Sequence, residues 1–203
     1  MASTVGSGPR IAVVGVGHFG RHHARILSTL PGAQLEAVVD IDAGRASAVA
    51  AETGTAAETD VTALDGRVDA VTLAVPTARH HAVALPLLER GVSVLVEKPM
   101  ARSVAEADEL IAAAEASGAV LAVGHTERYN PAVAAALPFV QAPRFIEVHR
   151  IGTFPARSLD IDVVFDLMIH DLDIILTIVG ADVEAVEAVG VPVLTDRVDI
   201  ANA

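Results

Sequence analysis

The chain has 203 residues, 52% of them apolar, and carries 26 acidic against 14 basic side chains, a formal net charge of −12 at pH 7. This length and apolar content are typical of one large or two small globular domains and exclude a disordered chain. Because the sequence contains no cysteine, a thiol nucleophile, a cysteine-ligated zinc and an iron–sulfur cluster are excluded. The acidic balance argues against nucleic acid as a partner, since neutralising phosphates requires a basic surface.

Hydropathy argues against a membrane partner. The mean hydropathy is +0.50, but the apolar runs are broken by glycine, proline or charge well before the roughly 18 residues of a membrane helix. The first ten residues also lack the basic region of a signal peptide. We therefore expect no membrane contact and a cytoplasmic location.

Short apolar runs alternate with stretches of helical periodicity through the first part of the chain. The predicted strands cover residues 10–14, 35–39, 70–74, 92–96 and 120–123, and the predicted helices cover 18–30, 43–51, 78–90 and 104–117. Strands that are almost continuously apolar and are separated by helices are typical of a parallel sheet covered on both faces. The sequence predicts an α/β fold whose first domain, residues 1–125, is a doubly wound parallel sheet.

The pattern changes after Gly124. The predicted elements are a helix over 130–140, a strand over 144–153, a helix over 162–179, and strands over 183–194 and 198–202. They indicate an α+β second domain, residues 126–203, which we expect to bind the substrate. Its open sheet is expected to be incomplete, because the chain stops inside the last predicted strand. We expect this sheet to mediate homo-oligomer formation, and we expect the chain to bind its cofactor with little or no turnover.

A glycine-rich motif joins the first predicted strand to the first predicted helix. Gly15, Gly17 and Gly20 form a GxGxxG pattern, with His18 and Phe19 between the last two glycines. The first glycine allows the tight turn, the second lets a pyrophosphate approach the backbone, and the third lets the helix pack closely on the strand. The motif predicts a Rossmann sheet whose helix N-terminus binds a dinucleotide.

An acidic residue follows the motif at the spacing that dinucleotide binding requires. Asp40 ends the second predicted strand, where a carboxylate accepts hydrogen bonds from the adenosine ribose hydroxyls. Asp40 and the nearby Asp42 would repel a 2′-phosphate, so NAD is the predicted cofactor and NADP is disfavoured. Arg45 is the one neighbouring residue that would favour NADP.

Five segments of the sequence carry motifs of one known family. They are residues 15–25, 75–77 with His80, 97–99, 124–131, and 166–170 with Asp173. Together they resemble the Gfo/Idh/MocA family of oxidoreductases, typified by glucose–fructose oxidoreductase and inositol 2-dehydrogenase. Segments 124–131 and 166–173 are most similar to members that act on nucleotide sugars, such as UDP-N-acetylglucosamine 3-dehydrogenases.

The resemblance implies a hydride transfer between the nicotinamide of NAD and a secondary hydroxyl of a sugar, nucleotide sugar or cyclitol. It assigns the catalytic roles to Lys98, Asp166 and His170. It also implies a set of cofactor contacts beyond the glycine motif and Asp40. These residues are Val75, Pro76, Thr77, His80, Glu97, Lys98 and Arg128.

The chemistry of alcohol oxidation agrees with these catalytic roles. A base must take the hydroxyl proton as the hydride leaves, and His170 titrates in the right range. Asp166 lies four residues earlier, so one helix face would carry both groups. Lys98 ends a predicted strand, where open α/β sheets bind ligands, and can polarise the oxygen or share the proton.

Two other interpretations compete with the catalytic one. Asp166, His170 and Asp173 could bind a divalent metal ion, but hydride transfer with a lysine at hand needs none, so no metal is predicted. A module that senses NAD or a sugar without turnover is the alternative function. His22, His23 and His149 are interpreted as structural.

Overall fold

The computed structural model describes residues 8–152 and 161–203. The chain forms two compact units that divide between Gly124 and His125, and each unit is described by itself. The predicted strand over 144–153 extends by one residue beyond the first described range. The assignment of a cofactor domain to 1–125 and a substrate domain to 126–203 stays a prediction.

The first unit is built on a six-stranded parallel sheet with the order β3-β2-β1-β4-β5-β6. The strands are β1 (Arg10–Val14), β2 (Gln34–Val39), β3 (Ala56–Glu58), β4 (Ala70–Leu73), β5 (Ser93–Glu97) and β6 (Leu121–Gly124). The helices are α1 (Gly20–Leu27), α2 (Ala43–Thr53), α3 (His80–Glu89) and α4 (Val104–Ser117). The predicted doubly wound parallel sheet is confirmed.

Both faces of this sheet carry apolar side chains, because neighbouring residues of a strand point in opposite directions. On β1, Val14 belongs to the larger buried cluster, together with Leu73, Leu87 and Leu110. Its neighbour Val13 belongs to a smaller cluster on the other face, with Val38 and Val49 packed around it. Both faces are thus covered, as the continuous apolar strands require.

Local signals in the sequence set the helix ends. The Asp42 side chain accepts a hydrogen bond from the Arg45 N–H at the start of α2, and Ser103 accepts one from Glu106 at the start of α4. Gly54 and Gly118 end these two helices with φ of 69° and 74°, a left-handed conformation that glycine adopts without strain.

Some short elements of the first unit have no clear signal in the sequence. Neither β3 nor the 3₁₀ turn Val61–Leu64 that follows was predicted, because neither segment contains enough residues for a periodic pattern. The first helix begins at Gly20 rather than at residue 18, since Gly17 to Phe19 form the loop. A 3₁₀ turn, Thr77–Arg79, replaces the start of the helix predicted over 78–90.

The second unit has short elements and no buried residue among those described between 125 and 152 and between 161 and 203. A 3₁₀ turn, Thr126–Tyr129, leads into α5 (Pro131–Ala136) and a further 3₁₀ turn, Leu137–Phe139. A π-helical turn, Val164–Met168, continues into α6 (Ile169–Val179), which ends at Gly180. The strands β7 (Val189–Val191) and β8 (Ile200–Asn202) form a two-stranded antiparallel sheet.

Two strand predictions in this unit are corrected by the structure. Residues 144–152 form no strand, and the strand predicted over 183–194 is reduced to the three residues of β7. Alternating apolar residues favour a strand only when a neighbouring strand binds its backbone. Within the described part of the unit, only β8 supplies such a neighbour, and it pairs with β7 alone.

None of the helices described, over 8–152 and 161–203, is long and apolar enough to cross a membrane.

Candidate functional site

The glycine loop lies where the order of the parallel strands reverses, between β1 and β4. Gly15 directly follows β1 and has a φ of +82°. A Cβ at this position would lie 2.7 Å from the carbonyl oxygen of Ala74 and 2.8 Å from a side-chain carbon of Val75. Gly15 is therefore required both by its conformation and by the close approach of the segment after β4. Ligands of open α/β sheets bind at this reversal point.

Gly17 and Gly20 are required for different reasons. A Cβ at Gly20 would lie 1.7 Å from the carbonyl oxygen of Gly15, so α1 packs directly on the loop. A Cβ at Gly17 would meet nothing within 4 Å. Packing within the protein does not explain the second glycine, whereas a pyrophosphate resting on the backbone would. His18 and Phe19 are exposed on the same loop. The loop from Gly15 to Gly20 is therefore compatible with the dinucleotide site that the sequence predicts.

The Asp40 carboxylate lies against this loop and is only 4% exposed. The Val16 N–H donates to its Oδ2 at 2.9 Å, and the Asp42 N–H donates to its Oδ1 at 2.9 Å. Arg45 covers the outer side, with Nη1 3.1 Å from both carboxylate oxygens. Asp40 thus lies at the glycine loop, and Arg45, which is half exposed, offsets part of its charge.

His80 is buried in the first unit. Its side chain is enclosed between two loops, and its relative exposure is 1%. Its Nδ1 lies 2.9 Å from the carbonyl oxygen of Pro99, and its Nε2 lies 3.0 Å from that of Val75. Both ring nitrogens therefore face backbone carbonyls, and the ring ties the segment after β4 to the segment after β5. His80 supports the predicted contact residues instead of reaching a cofactor with its own ring nitrogens. Thr77 is buried beside it, and Pro76 is exposed.

Glu97 and Lys98 are adjacent in sequence at the end of β5. Lys98 is partly buried and is the sole lysine among the 203 residues. The Glu97 carboxylate does not point to solvent: its Oε1 lies 3.0 Å from Nε2 of His23, and both side chains are mostly buried. His23 was predicted to be structural, and its contact with Glu97 was not predicted. The one available signal was Thr72, a hydroxyl in an otherwise apolar strand, which contacts the same ring.

In the second unit, Asp166 and His170 lie on consecutive helical segments. Asp166 belongs to the π-helical turn Val164–Met168, and His170 is the second residue of α6. Both are partly buried. The structure therefore corrects the prediction of one uninterrupted helix over 162–179. The π-helical turn was not predicted, because a periodic sequence pattern does not distinguish it from an α-helical turn. Such turns are frequent at functional sites.

Two arginine–aspartate pairs anchor the first turns of α6. Arg128 makes a two-pronged contact with Asp173, in which its Nε donates to Oδ2 at 3.1 Å. Arg150 donates to both carboxylate oxygens of Asp171, at 2.8 to 3.0 Å. These hydrogen bonds raise the pKa of both arginines above the usual range. Arg128, predicted to contact the cofactor, is thus engaged in holding the helix that carries His170.

The metal interpretation finds no support in the described parts of the chain. Residues 8–152 and 161–203 contain no group of three or more histidine, aspartate or glutamate side chains placed to hold a metal ion. The Asp173 carboxylate, one of the three candidate ligands, is bound by Arg128.

Comparison with known proteins identifies the family. Residues 9–125 match the family described as oxidoreductases with an NAD-binding Rossmann fold, Gfo/Idh/MocA. The chain is 46% identical over 199 residues to a UDP-N-acetylglucosamine 3-dehydrogenase of Acidithiobacillus ferrooxidans, covering 96% of this chain and 62% of that protein. It is 31% identical over 200 residues to a scyllo-inositol 2-dehydrogenase (NAD(+)) of Bacillus subtilis, covering 89% of this chain and 57% of the relative.

Solved structures agree with the sequence comparison. A structure of the Acidithiobacillus ferrooxidans enzyme superposes with a TM-score of 0.88 at 45% identity, covering 96% of this chain and 64% of that one. GenD2, a protein of gentamicin A biosynthesis solved in complex with NAD, superposes with a TM-score of 0.83 at 28% identity, covering 96% and 61%. The chain thus spans less than two thirds of the length of these relatives. It belongs to the Gfo/Idh/MocA family of oxidoreductases, whose fold is an NAD-binding Rossmann fold.

Proposed function

We propose that the protein is an NAD-dependent dehydrogenase that acts on a secondary hydroxyl of a nucleotide sugar, with sugars and cyclitols as the wider substrate class. The observation that carries the proposal is the glycine loop, where Gly17 opens onto empty space beside the Asp40 carboxylate. The substrate class is supported by the names of the relatives, a UDP-N-acetylglucosamine 3-dehydrogenase and inositol dehydrogenases.

Cofactor binding, proton removal and stabilisation of the substrate oxygen are assigned to different residues. Bound NAD would supply the hydride acceptor, held by the loop from Gly15 to Gly20 and by Asp40. We assign His170 as the base that takes the hydroxyl proton and Asp166 as the group that orients the ring or the substrate hydroxyl. Lys98 donates a hydrogen bond to the oxygen, which stabilises the negative charge that develops as the proton leaves.

The test is a comparison of binding with turnover on the full-length protein. We expect NADH fluorescence to report binding, and we expect NAD reduction when UDP-N-acetylglucosamine or an inositol is added. Binding of NADH without reduction of NAD by any of these substrates would favour the alternative, a module that senses NAD or a sugar.

We expect the unaltered protein to bind NAD more tightly than NADP. The Asp40 carboxylate can accept from the ribose hydroxyls and repels a 2′-phosphate, although Arg45 offsets part of that charge. Asp40→Ala should narrow the NAD preference by about tenfold or more, a change of roughly 1.4 kcal/mol. Calorimetric titrations with NAD and with NADP measure the ratio of the two dissociation constants.

Asp42→Asn is the matched control for this substitution. It removes the neighbouring charge, and asparagine caps a helix as well as aspartate does, so α2 should be kept. The NAD preference should narrow less in this variant than in Asp40→Ala, because the Asp40 carboxylate that lies against the glycine loop is kept. NADP bound more tightly than NAD by the unaltered protein would contradict the assignment of Asp40.

We also propose that the protein self-associates through the β7–β8 sheet, the homo-oligomer expected from the sequence. Val189, Val191 and Ile200 of this sheet are each at least 49% exposed, and such apolar faces favour contact with another chain. The double variant Val191→Lys, Ile200→Lys should lower the molar mass measured by light scattering. Val120→Lys, at an exposed valine of the first unit, should not. A monomeric unaltered protein would refute this proposal.

A further inference from the structure

Three hydrogen-bonding side chains form a chain across α1, β4 and β5 in the first unit. Nδ1 of His23 lies 2.6 Å from Oγ1 of Thr72, and its Nε2 lies 3.0 Å from Oε1 of Glu97. Thr72 is 4% exposed, in a strand whose other residues are apolar. A buried hydroxyl costs free energy unless it is hydrogen-bonded. The His23 ring supplies that partner for Thr72 through Nδ1 and contacts Glu97 through Nε2.

This chain keeps both hydrogen bonds whether or not the ring is charged. A hydroxyl can donate or accept, whereas a carboxylate only accepts. A neutral ring with its proton on Nε2 donates to Glu97 and accepts from Thr72. A charged ring donates from both nitrogens, and Thr72 then accepts. The contact between His23 and Glu97 is therefore compatible with both forms.

The backbone of β6 closes another side of the Glu97 carboxylate. Glu97 pairs in register with Gly124. A Cβ at position 124 would lie 3.1 to 3.3 Å from the three carboxylate atoms of Glu97, which is tighter than almost all real contacts of this kind. The glycine therefore leaves just enough room for the carboxylate between the His23 ring and β6. Glu97 is confined on both sides.

We propose that Thr72, His23 and Glu97 are positioning residues for Lys98. The proposal rests on the proposed function, because it takes Lys98 as the lysine of the reaction. Glu97 and Lys98 share a peptide unit, so confining the Glu97 side chain limits the backbone rotations that direct Lys98. Glu97 then acts through Lys98, and not as the direct cofactor contact that the family resemblance implies.

A purely structural role predicts a different result. If His23 only filled space between α1 and the sheet, an apolar side chain of similar size would replace it without effect on Lys98. Thr72→Val removes the hydroxyl and keeps the shape of the side chain, and His23→Leu removes the ring nitrogens. Thr72→Ser and His23→Gln keep a group that can hydrogen-bond at each position.

The sole lysine makes the test direct. The 203-residue chain, grown with ¹³C-labelled lysine, gives Cε signals from Lys98 alone. We expect these signals to differ from those of the unfolded chain. They should move toward the unfolded position in Thr72→Val and His23→Leu, and should be restored in Thr72→Ser and His23→Gln. His81→Leu is the matched control, because it breaks another histidine–glutamate contact, 2.7 Å from Nε2 of His81 to Oε2 of Glu109, which joins α3 to α4 and does not involve Thr72, His23 or Glu97.

Kinetics of the full-length protein supply the second measurement. In Thr72→Val we expect kcat to fall about tenfold, with the KM for NAD within about twofold of the unaltered value. Unchanged Lys98 signals in Thr72→Val, with thermal unfolding intact, would overturn the proposal, and this variant decides the matter if His23→Leu does not fold. Failure of the unaltered protein to bind NADH would instead refute the proposed function, while the Lys98 signals would still test the contact chain.

Discussion

Replacing Lys98 by methionine is expected to lower kcat of the full-length protein by about 10²–10⁴-fold, the usual contribution of a group that moves or stabilises a proton. Methionine keeps an unbranched apolar side chain that is one atom shorter than lysine, but it cannot donate a hydrogen bond to the substrate oxygen. The affinity for NADH should change little, because the phosphates and the ribose are assigned to the glycine loop and Asp40. His170→Ala should behave in the same way, since it removes the proposed base. Steady-state turnover and NADH titration measure the two quantities separately.

The control for Lys98→Met is Arg102→Met, which also removes one positive charge close to the end of β5. Arg102 is exposed and bonded to Glu106 at the start of α4, and no role in the reaction is assigned to it. Its turnover should stay near that of the unaltered protein. Turnover of Lys98→Met equal to that of Arg102→Met would remove Lys98 from the proposed mechanism.

The fold of the first unit could be predicted from its sequence because local and global signals agree there. The mostly apolar runs at 10–14 and 70–74 match β1 and β4, since a strand buried on both faces is predominantly apolar, with Thr72 as the buried polar exception. The glycine motif and Asp40 were found for a similar reason. Their residue types are required by backbone conformation and by charge, and a single sequence shows both.

Contacts between elements distant in sequence could not be found in this way. His23 and Glu97 are separated by most of the first unit, and only the parallel pairing of β4 with β5 brings Thr72 beside the same ring. The arginine–aspartate pairs of α6 are similar, because no periodic pattern relates Arg150 to Asp171. The predicted strand over 144–153 was wrong across residues 144–152, because its sequence alternates correctly but no strand within residues 8–152 and 161–203 pairs with it.

The second large effect is expected from substitutions of two glycines of the GxGxxG motif. One substitution should lower the affinity for NADH, and the other should lower the stability of the fold. Gly17→Ala should fold normally, because its Cβ meets nothing within 4 Å, and alanine reduces the freedom of the unfolded chain. The added methyl group would stand where the pyrophosphate must approach the backbone. We expect NADH affinity to fall about a hundredfold, or roughly 2.8 kcal/mol, with no loss of thermal stability.

Gly20→Ala is the matched comparison, because it adds the same methyl group three residues later. Here the Cβ would lie 1.7 Å from the carbonyl oxygen of Gly15, so α1 must move away from the loop. We expect the free energy of unfolding to fall by about 1–3 kcal/mol, with Tm lower by roughly 2–4 °C per kcal/mol. Circular dichroism during heating and NADH fluorescence separate the two effects. Unchanged NADH affinity in Gly17→Ala would show that the phosphates do not rest on this loop, because a methyl group at position 17 would block a pyrophosphate that contacts the backbone there.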